Sequence, residues 1–367
     1  MSKSRIYLSP PNVDSSENRA ALQALESGWI APVGPALDQF EQELSQHFKK
    51  KVLLLNSGTS ALHLSLILAG IKPGDYVLTS AMTFAACANV IRYQQGIPIL
   101  VDSESQTWNM DPELLDSYLR GSKIKPKAVI LTHLYGVPAR LTEIKKITEN
   151  YEIILIEDAA EALGSTYDTV PVGSVGDFGI LSFNGNKIVT TSGGGALICD
   201  EDNYHKALHL ATQANRGTQE YDHDLIGYNY RMSNILAGIG LSQFEKLDAF
   251  AKRKYEINGT YRERLARYFQ FPASQKSASS NYWLTTALIE SNIKPSDLIG
   301  WLEKQDIESR RLWKPLHLHK AYQRFKFVGE GVCVDLFEQG ICLPSGSGLT
   351  EAEQERVIAA IEKFFLS

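Results

Sequence analysis

Ile153-Ile154-Leu155-Ile156-Glu157-Asp158-Ala159-Ala160-Glu161 and Phe178-Gly179-Ile180-Leu181-Ser182-Phe183-Asn184-Gly185-Asn186-Lys187 decide how this chain is read. The first stretch is a short β-branched and apolar run that ends on an acid and then on small residues, which reads as a buried strand opening into a loop. The second reads as another strand, broken at a glycine and presenting a lysine. An acid at one strand end and a strand-borne lysine further on are the two groups that pyridoxal 5′-phosphate (PLP) chemistry needs. The lysine forms the Schiff base, and the acid pairs with the pyridinium nitrogen so that the ring draws electrons. Taken singly, each residue has a plainer reading, Asp158 as a helix N-cap and Lys187 as a solvated loop lysine. The run Ser192-Gly193-Gly194-Gly195 adds weight to the pair. Its glycines allow close backbone approach to a bulky group or a tight turn into the next strand.

Working outward, short apolar runs alternate with amphipathic segments from about residue 50 to 200. Val52–Leu55, Tyr76–Thr79, Ile97–Val101, Ala128–Thr132, Ile153–Glu157, Gly179–Phe183 and Ala196–Cys199 read as strands. Ser60–Ala69, Ala85–Tyr93, Pro112–Leu119 and Leu141–Asn150 read as helices. Such alternation predicts an α/β fold with a mainly parallel sheet flanked by helices, and ligands collect at the carboxyl ends of its strands. A long helical region from Ser233 to Leu265 leads out of this unit. Strands at Trp283–Ile289 and Gly340–Leu343 with helices at Ser296–Gln305 and Glu351–Phe365 suggest a smaller α/β unit. The expected division is a large cofactor-binding domain over residues 1–250 and a small C-terminal domain over 251–367.

A chain of 367 residues with 44% hydrophobic and 22% charged residues can bury a large core and is not disordered. A net charge of −5 disfavours nucleic acid as a partner while leaving room for a local anion site. Cys87, Cys199, Cys333 and Cys342 show no metal or disulfide spacing, so no metal site is expected and the thiols read as reduced. Met1-Ser2-Lys3-Ser4-Arg5 lacks the apolar core of a signal peptide, and no stretch is apolar enough to span a membrane. A cytoplasmic enzyme is the expectation.

Asn56-Ser57-Gly58-Thr59-Ser60-Ala61-Leu62 follows a strand and opens a helix, a setting in which small residues turn backbone N–H groups toward a phosphate. An ordinary Ser/Thr cap is the alternative. Beside Asp158 and Lys187 the phosphate reading prevails, with Ser182 able to add a hydroxyl. Phe84, after the second strand, could stack on a pyridine ring or belong to the core.

With these motifs in place, the chain resembles the DegT/StrS-type sugar-nucleotide aminotransferases, which have PLP fold type I, the aspartate-aminotransferase fold. The resemblance runs from Leu8-Ser9-Pro10-Pro11 and Gly28–Pro35 through Thr132-His133-Leu134-Tyr135-Gly136, Glu157–Gly164 and Ser182–Gly195. It continues into Gly227–Ser233 and Trp313-Lys314-Pro315-Leu316-His317. The wordings Asp158-Ala159-Ala160-Glu161 and Phe183-Asn184-Gly185-Asn186-Lys187 are most similar to one branch. That branch aminates C4 of a UDP-linked 4-keto-6-deoxy-N-acetylhexosamine, the precursor of N-acetylbacillosamine.

The resemblance implies Lys187 and Asp158 as catalytic residues. It implies cofactor contacts from Gly58, Thr59, Phe84, Ser182 and Glu161, the last in place of the His or Gln of many members. Asn229 would reach the phosphate of the neighbouring subunit's cofactor, which implies a homodimer with shared active sites. Glutamate is the implied amino donor, with 2-oxoglutarate as its product, and a nucleotide sugar is the acceptor. Arg231, Arg310, Lys314 and His317 are expected around the substrate, since Arg forks match diphosphate and carboxylate groups. Surface ion pairing is the competing reading for each cation. Other carriers (dTDP or GDP), a C3 ketone, a PLP-dependent dehydration and a non-catalytic PLP-binding regulator are the alternatives. Dehydrating relatives replace the lysine with histidine, and Lys187 argues against that reading.

Overall fold

The computed structural model describes residues 4–291 and 293–366. Its centre is an eight-stranded sheet in the order Lys51–Leu55, Gly195–Cys199, Phe178–Ser182, Ile154–Asp158, Ala128–Thr132, Tyr76–Ser80, Ile97–Val101, Lys326–Val328. Gly195–Cys199 runs antiparallel to both neighbours and every other pairing joins parallel strands. The strands read as unbroken apolar runs because both faces are covered. Leu131, Leu155 and Leu181 enter one core cluster with the helices Pro35–Phe48 and Leu141–Asn150. Their neighbours Ile130, Ile156 and Ile180 enter another with Gly58–Leu68 and Ala86–Tyr93.

Register delivers the site. Thr132 lies opposite Asp158, and Asp158 opposite Ile180, so the carboxyl ends of three strands finish together. Gly195 lies opposite both Leu55 and Ser182, which sets the turn after Leu55 beside the end of the lysine-bearing segment.

The helical region after Ser233 is two helices, Asn234–Phe244 and Leu247–Leu265, interrupted at Glu245 and Lys246. Residue 250 falls inside the second, which carries the chain to a four-stranded antiparallel sheet. That sheet has the order Phe269–Gln270, Thr285–Ile289, Gly340–Leu343, Arg310–Arg311. Ile6 and Leu8 lace the N-terminal segment onto this second unit, through Ile6 N–H to the Asp306 carbonyl (2.8 Å) and the Leu8 carbonyl to Ser345 N–H (2.8 Å). Lys326–Val328 returns to the large sheet as its edge. Helices Ser15–Glu26, Pro35–Phe48 and Glu201–Ala211 add to those read from the sequence.

Candidate active site

Asp158 closes the strand Ile154–Asp158 and its neighbour shows what strand parity does. Glu157 points to the opposite face and is buried, accepting N–H bonds from Gly173 (2.8 Å), Val175 (2.7 Å) and Gly176 (2.6 Å). His133 accepts the Ala139 N–H at Nδ1 (3.1 Å), so its Nε2 carries the proton it gives to Glu157 (3.0 Å). Burial alone would raise the Glu157 carboxyl, and His133 with these amides holds it below its usual value. Asp158 faces the cavity instead. Its Oδ1 accepts from Ala160 N–H (3.1 Å) and its Oδ2 from the Cys87 thiol (3.0 Å). That thiol is pushed well up by burial and by Asp158, so it stays a donor.

Lys187 is not on the strand. Phe178–Ser182 ends first, and the lysine sits in the following turn, closed by its own N–H to the Asn184 carbonyl (2.9 Å). Its Nζ lies 3.5 Å from Glu161 Oε1 and 3.9 Å from the centroid of the Trp283 ring. The indole Nε1–H donates to the Asn186 carbonyl (2.7 Å), fixing the turn next to the lysine. Glu161 Oε2 accepts the Tyr135 N–H (2.6 Å), while Oε1 is buried with no hydrogen-bond partner. Burial raises this carboxyl to about 7, against the opposing pull of Lys187.

Ser57 caps the helix Gly58–Leu68 by accepting the Ser60 N–H (3.1 Å), leaving Gly58 and Thr59 as its first donors. Glycine is required at 195, because a Cβ there would sit 2.3 Å from the Gly58 nitrogen. Gly58, Thr59, Phe84, Asp158, Glu161, Ser182, Lys187 and Arg310 line one cavity of about 860 Å³. PLP fits these residues on two observations. The N-terminus of Gly58–Leu68 opens on the cavity, and Glu161 Oε1, ion-paired with Lys187 but without a hydrogen bond, faces the same space.

The residues expected around the substrate, and Asn229, are placed differently. Arg231 pairs with buried Glu41 (2.5 Å) and the Leu54 carbonyl (3.0 Å), so its charge is spent tying its segment to the sheet. His317 stacks on Phe327 at 4.0 Å, and burial lowers its pKa. Lys314 is exposed, and neither it nor His317 lines the cavity. Arg310 reaches the rim but is forked onto Glu308 (2.7 and 3.1 Å). Asn229 is exposed and absent from its own chain's cavity, although its carbonyl accepts from Asn56 Nδ2 (3.1 Å). Trp283, Tyr135 and Cys87 are contacts that residue type alone did not reveal. The Thr132–Gly136 motif was the signal nearest to them.

A mainly parallel sheet that brings together an acid at a strand end, a lysine in the turn after the next strand of the sheet and a helix N-terminus is the arrangement of a PLP-dependent enzyme of fold type I. The chain belongs to the DegT/DnrJ/EryC1/StrS aminotransferase family, whose model matches residues 11–362. It is 43% identical over 98% of its length, and 96% of the relative's, to EpsN of Bacillus subtilis (strain 168), provisionally named a pyridoxal phosphate-dependent aminotransferase. It is 34% identical to the GDP-perosamine synthase of Escherichia coli O157:H7, with 97% of each chain covered. Among solved structures, the PLP form of Spr1654 from Streptococcus pneumoniae, provisionally named a sugar aminotransferase, superposes with a TM-score of 0.91 at 28% identity. That match covers 98% of this chain and 99% of the other. The protein is a PLP-dependent sugar aminotransferase.

Proposed function

We propose that the protein moves the amino group of glutamate to the C4 ketone of a UDP-linked 4-keto-6-deoxy-N-acetylhexosamine, giving a 4-amino sugar nucleotide for glycan synthesis. One observation carries this reading: Lys187, Asp158 and Glu161 meet in a single cavity of about 860 Å³ that continues past them to Tyr7–Pro11 and Arg310–Trp313. The space beyond the catalytic cluster suits a sugar as well as an amino acid. The motif wording resembles that of the C4-aminating branch, which supports this sugar.

PLP held at Lys187 would supply an electron sink that eases loss of the Cα proton of the donor. Asp158 keeps the proton on the ring nitrogen, its orientation fixed by Ala160 N–H and the Cys87 thiol. Lys187 Nζ takes the proton leaving Cα and, in the return half, delivers one to C4 of the sugar. Gly58, Thr59 and Ser182 would hold the phosphate of PLP, and Phe84 would pack on its ring. Asn229 reaches the partner subunit's phosphate in a homodimer. Exposed Leu225 and Ile226 beside Asn229 support an interface at that place. A cytoplasmic setting accords with four free, buried thiols.

A GDP carrier is the second reading, favoured by 32–34% identity to three GDP-perosamine synthases. Incubation with glutamate and UDP-, GDP- and dTDP-linked 4-ketosugars, read by product mass, decides between them. Amination of the GDP sugar alone overturns the UDP assignment.

A further inference from the structure

Tyr135 joins Glu161, on the catalytic side of the cavity, to the Arg310–Trp313 segment. It is 1% exposed and holds φ = +54° in the turn Leu134–Gly136, a conformation that a bulky residue keeps only under constraint from its surroundings. Its main-chain N–H donates to Glu161 Oε2 (2.6 Å). Its hydroxyl accepts the main-chain N–H of Trp313 (2.7 Å). Its ring packs against Trp283, stacked at 6.4 Å, and Trp313 at 5.3 Å, and the two indoles lie 6.3 Å from each other.

The segment so gripped is a cavity wall. Leu312 N–H to the Gly340 carbonyl (3.3 Å) and Leu316 N–H to the Ala81 carbonyl (2.8 Å) anchor its two ends, and Tyr135 holds it between them. The two guanidiniums on this wall line the cavity and are each ion-paired. Arg310 is forked onto Glu308, and Arg311 reaches Glu338 (3.2 Å) and the Phe337 carbonyl (2.9 Å). Beside them Trp313, Leu284 and Cys342 line the same cavity, an apolar surface suited to the uncharged face of a sugar ring.

We propose that Tyr135 is a positioning residue for the sugar acceptor, its hydroxyl latching the Trp313 amide and thereby setting the Arg310–Trp313 wall. The inference rests on the sugar-aminotransferase reading of the same cavity. Tyr135→Phe removes one oxygen and leaves the ring packing and the N–H bond to Glu161 in place.

Three measurements on the PLP-loaded enzyme test it. Hydrogen exchange at the Trp313 amide, without any sugar, should be slow in the wild type and about tenfold faster in Y135F, the size expected for one buried hydrogen bond. The glutamate half-reaction, followed by cofactor absorbance, should stay within about twofold in rate and saturation. The KM for whichever nucleotide ketosugar the wild type aminates should rise about tenfold while that for glutamate holds. An unprotected Trp313 amide in the wild type overturns the latch, and so does equal loss in both half-reactions of Y135F. If the wild type aminates no ketosugar, the acceptor assignment above falls, while the exchange result still decides whether the latch exists.

Discussion

Glu161→Gln in the cofactor-free protein tests whether the carboxyl beside Lys187 is stored close to neutrality. The wild-type group is raised from its ordinary 4.5 to about 7, first by burial and then against the attraction of Lys187 at 3.5 Å. Between those two values the folded protein binds a proton that the unfolded chain has released. The group therefore favours folding below pH 4.5, and that contribution fades as pH rises through 7. A difference of about 2.5 units corresponds to about 3 kcal/mol, most of it lost between pH 5 and pH 8. Glutamine still accepts the Tyr135 N–H with its carbonyl and has no such titration. Urea unfolding of both proteins at pH 5 and pH 8 should show the stability of E161Q relative to wild type improving by about 2–3 kcal/mol at the higher pH. A difference that does not change with pH, or one that moves the other way, refutes the argument.

Lys187→Ala should abolish turnover and leave no cofactor fixed to the Lys187 peptide by borohydride. A fixed adduct at another lysine would displace the assignment. Asp158→Asn keeps the acceptor for Ala160 N–H but removes the charge proposed to face the ring nitrogen. It should lower kcat by roughly two orders of magnitude, about 3 kcal/mol in the barrier, and affect cofactor retention less. Near wild-type turnover would end the electron-sink role. Asn229→Ala should weaken cofactor retention about ten- to a hundredfold, the worth of one charge-assisted hydrogen bond, while Lys187 still captures PLP. Mixed Lys187→Ala and Asn229→Ala subunits should regain one intact site per heterodimer. A fully active monomer in sedimentation, or no recovery after proven exchange, counts against the shared site.

Much of this arrangement could be read from the sequence because it follows local pattern. Four of the predicted spans, Ile97–Val101, Ala128–Thr132, Leu141–Asn150 and Gly340–Leu343, match the structure at both ends. An apolar run bounded by turn residues has one economical structure in a covered sheet. Asp14 and Glu17 form a capping box that starts Ser15–Glu26, and Pro35 opens Pro35–Phe48. Those local signals belong to helices outside the alternating region, where a reading anchored on strand–helix alternation passes over them. The cationic residues were harder for a different reason. A basic side chain does not announce its partner, and Arg231 finds Glu41 190 positions away. Once that buried pair forms, releasing the guanidinium to a substrate would leave Glu41 without its countercharge, at a cost greater than one substrate contact returns.

Glu157 and Asp158 show where local pattern stops. Both are acids at the end of one strand, and composition ranks neither above the other. The pleat sends them to opposite faces, and the surroundings then separate their chemistry. Glu157 meets three amides and a histidine, so its charge is used up in holding the Gly173–Gly176 turn against the sheet. Asp158 meets one amide and one thiol, which orient it without exhausting it, and it opens on the cavity that Lys187 and Glu161 share. The same alternation puts Ser182 on the cavity and Leu181 in the core. Period-two parity thus reduces each choice to one of two faces. Which face is catalytic is fixed by non-local contacts: the Gly195 register beside Gly58, and the indole of Trp283 arriving from the far unit to close over the lysine.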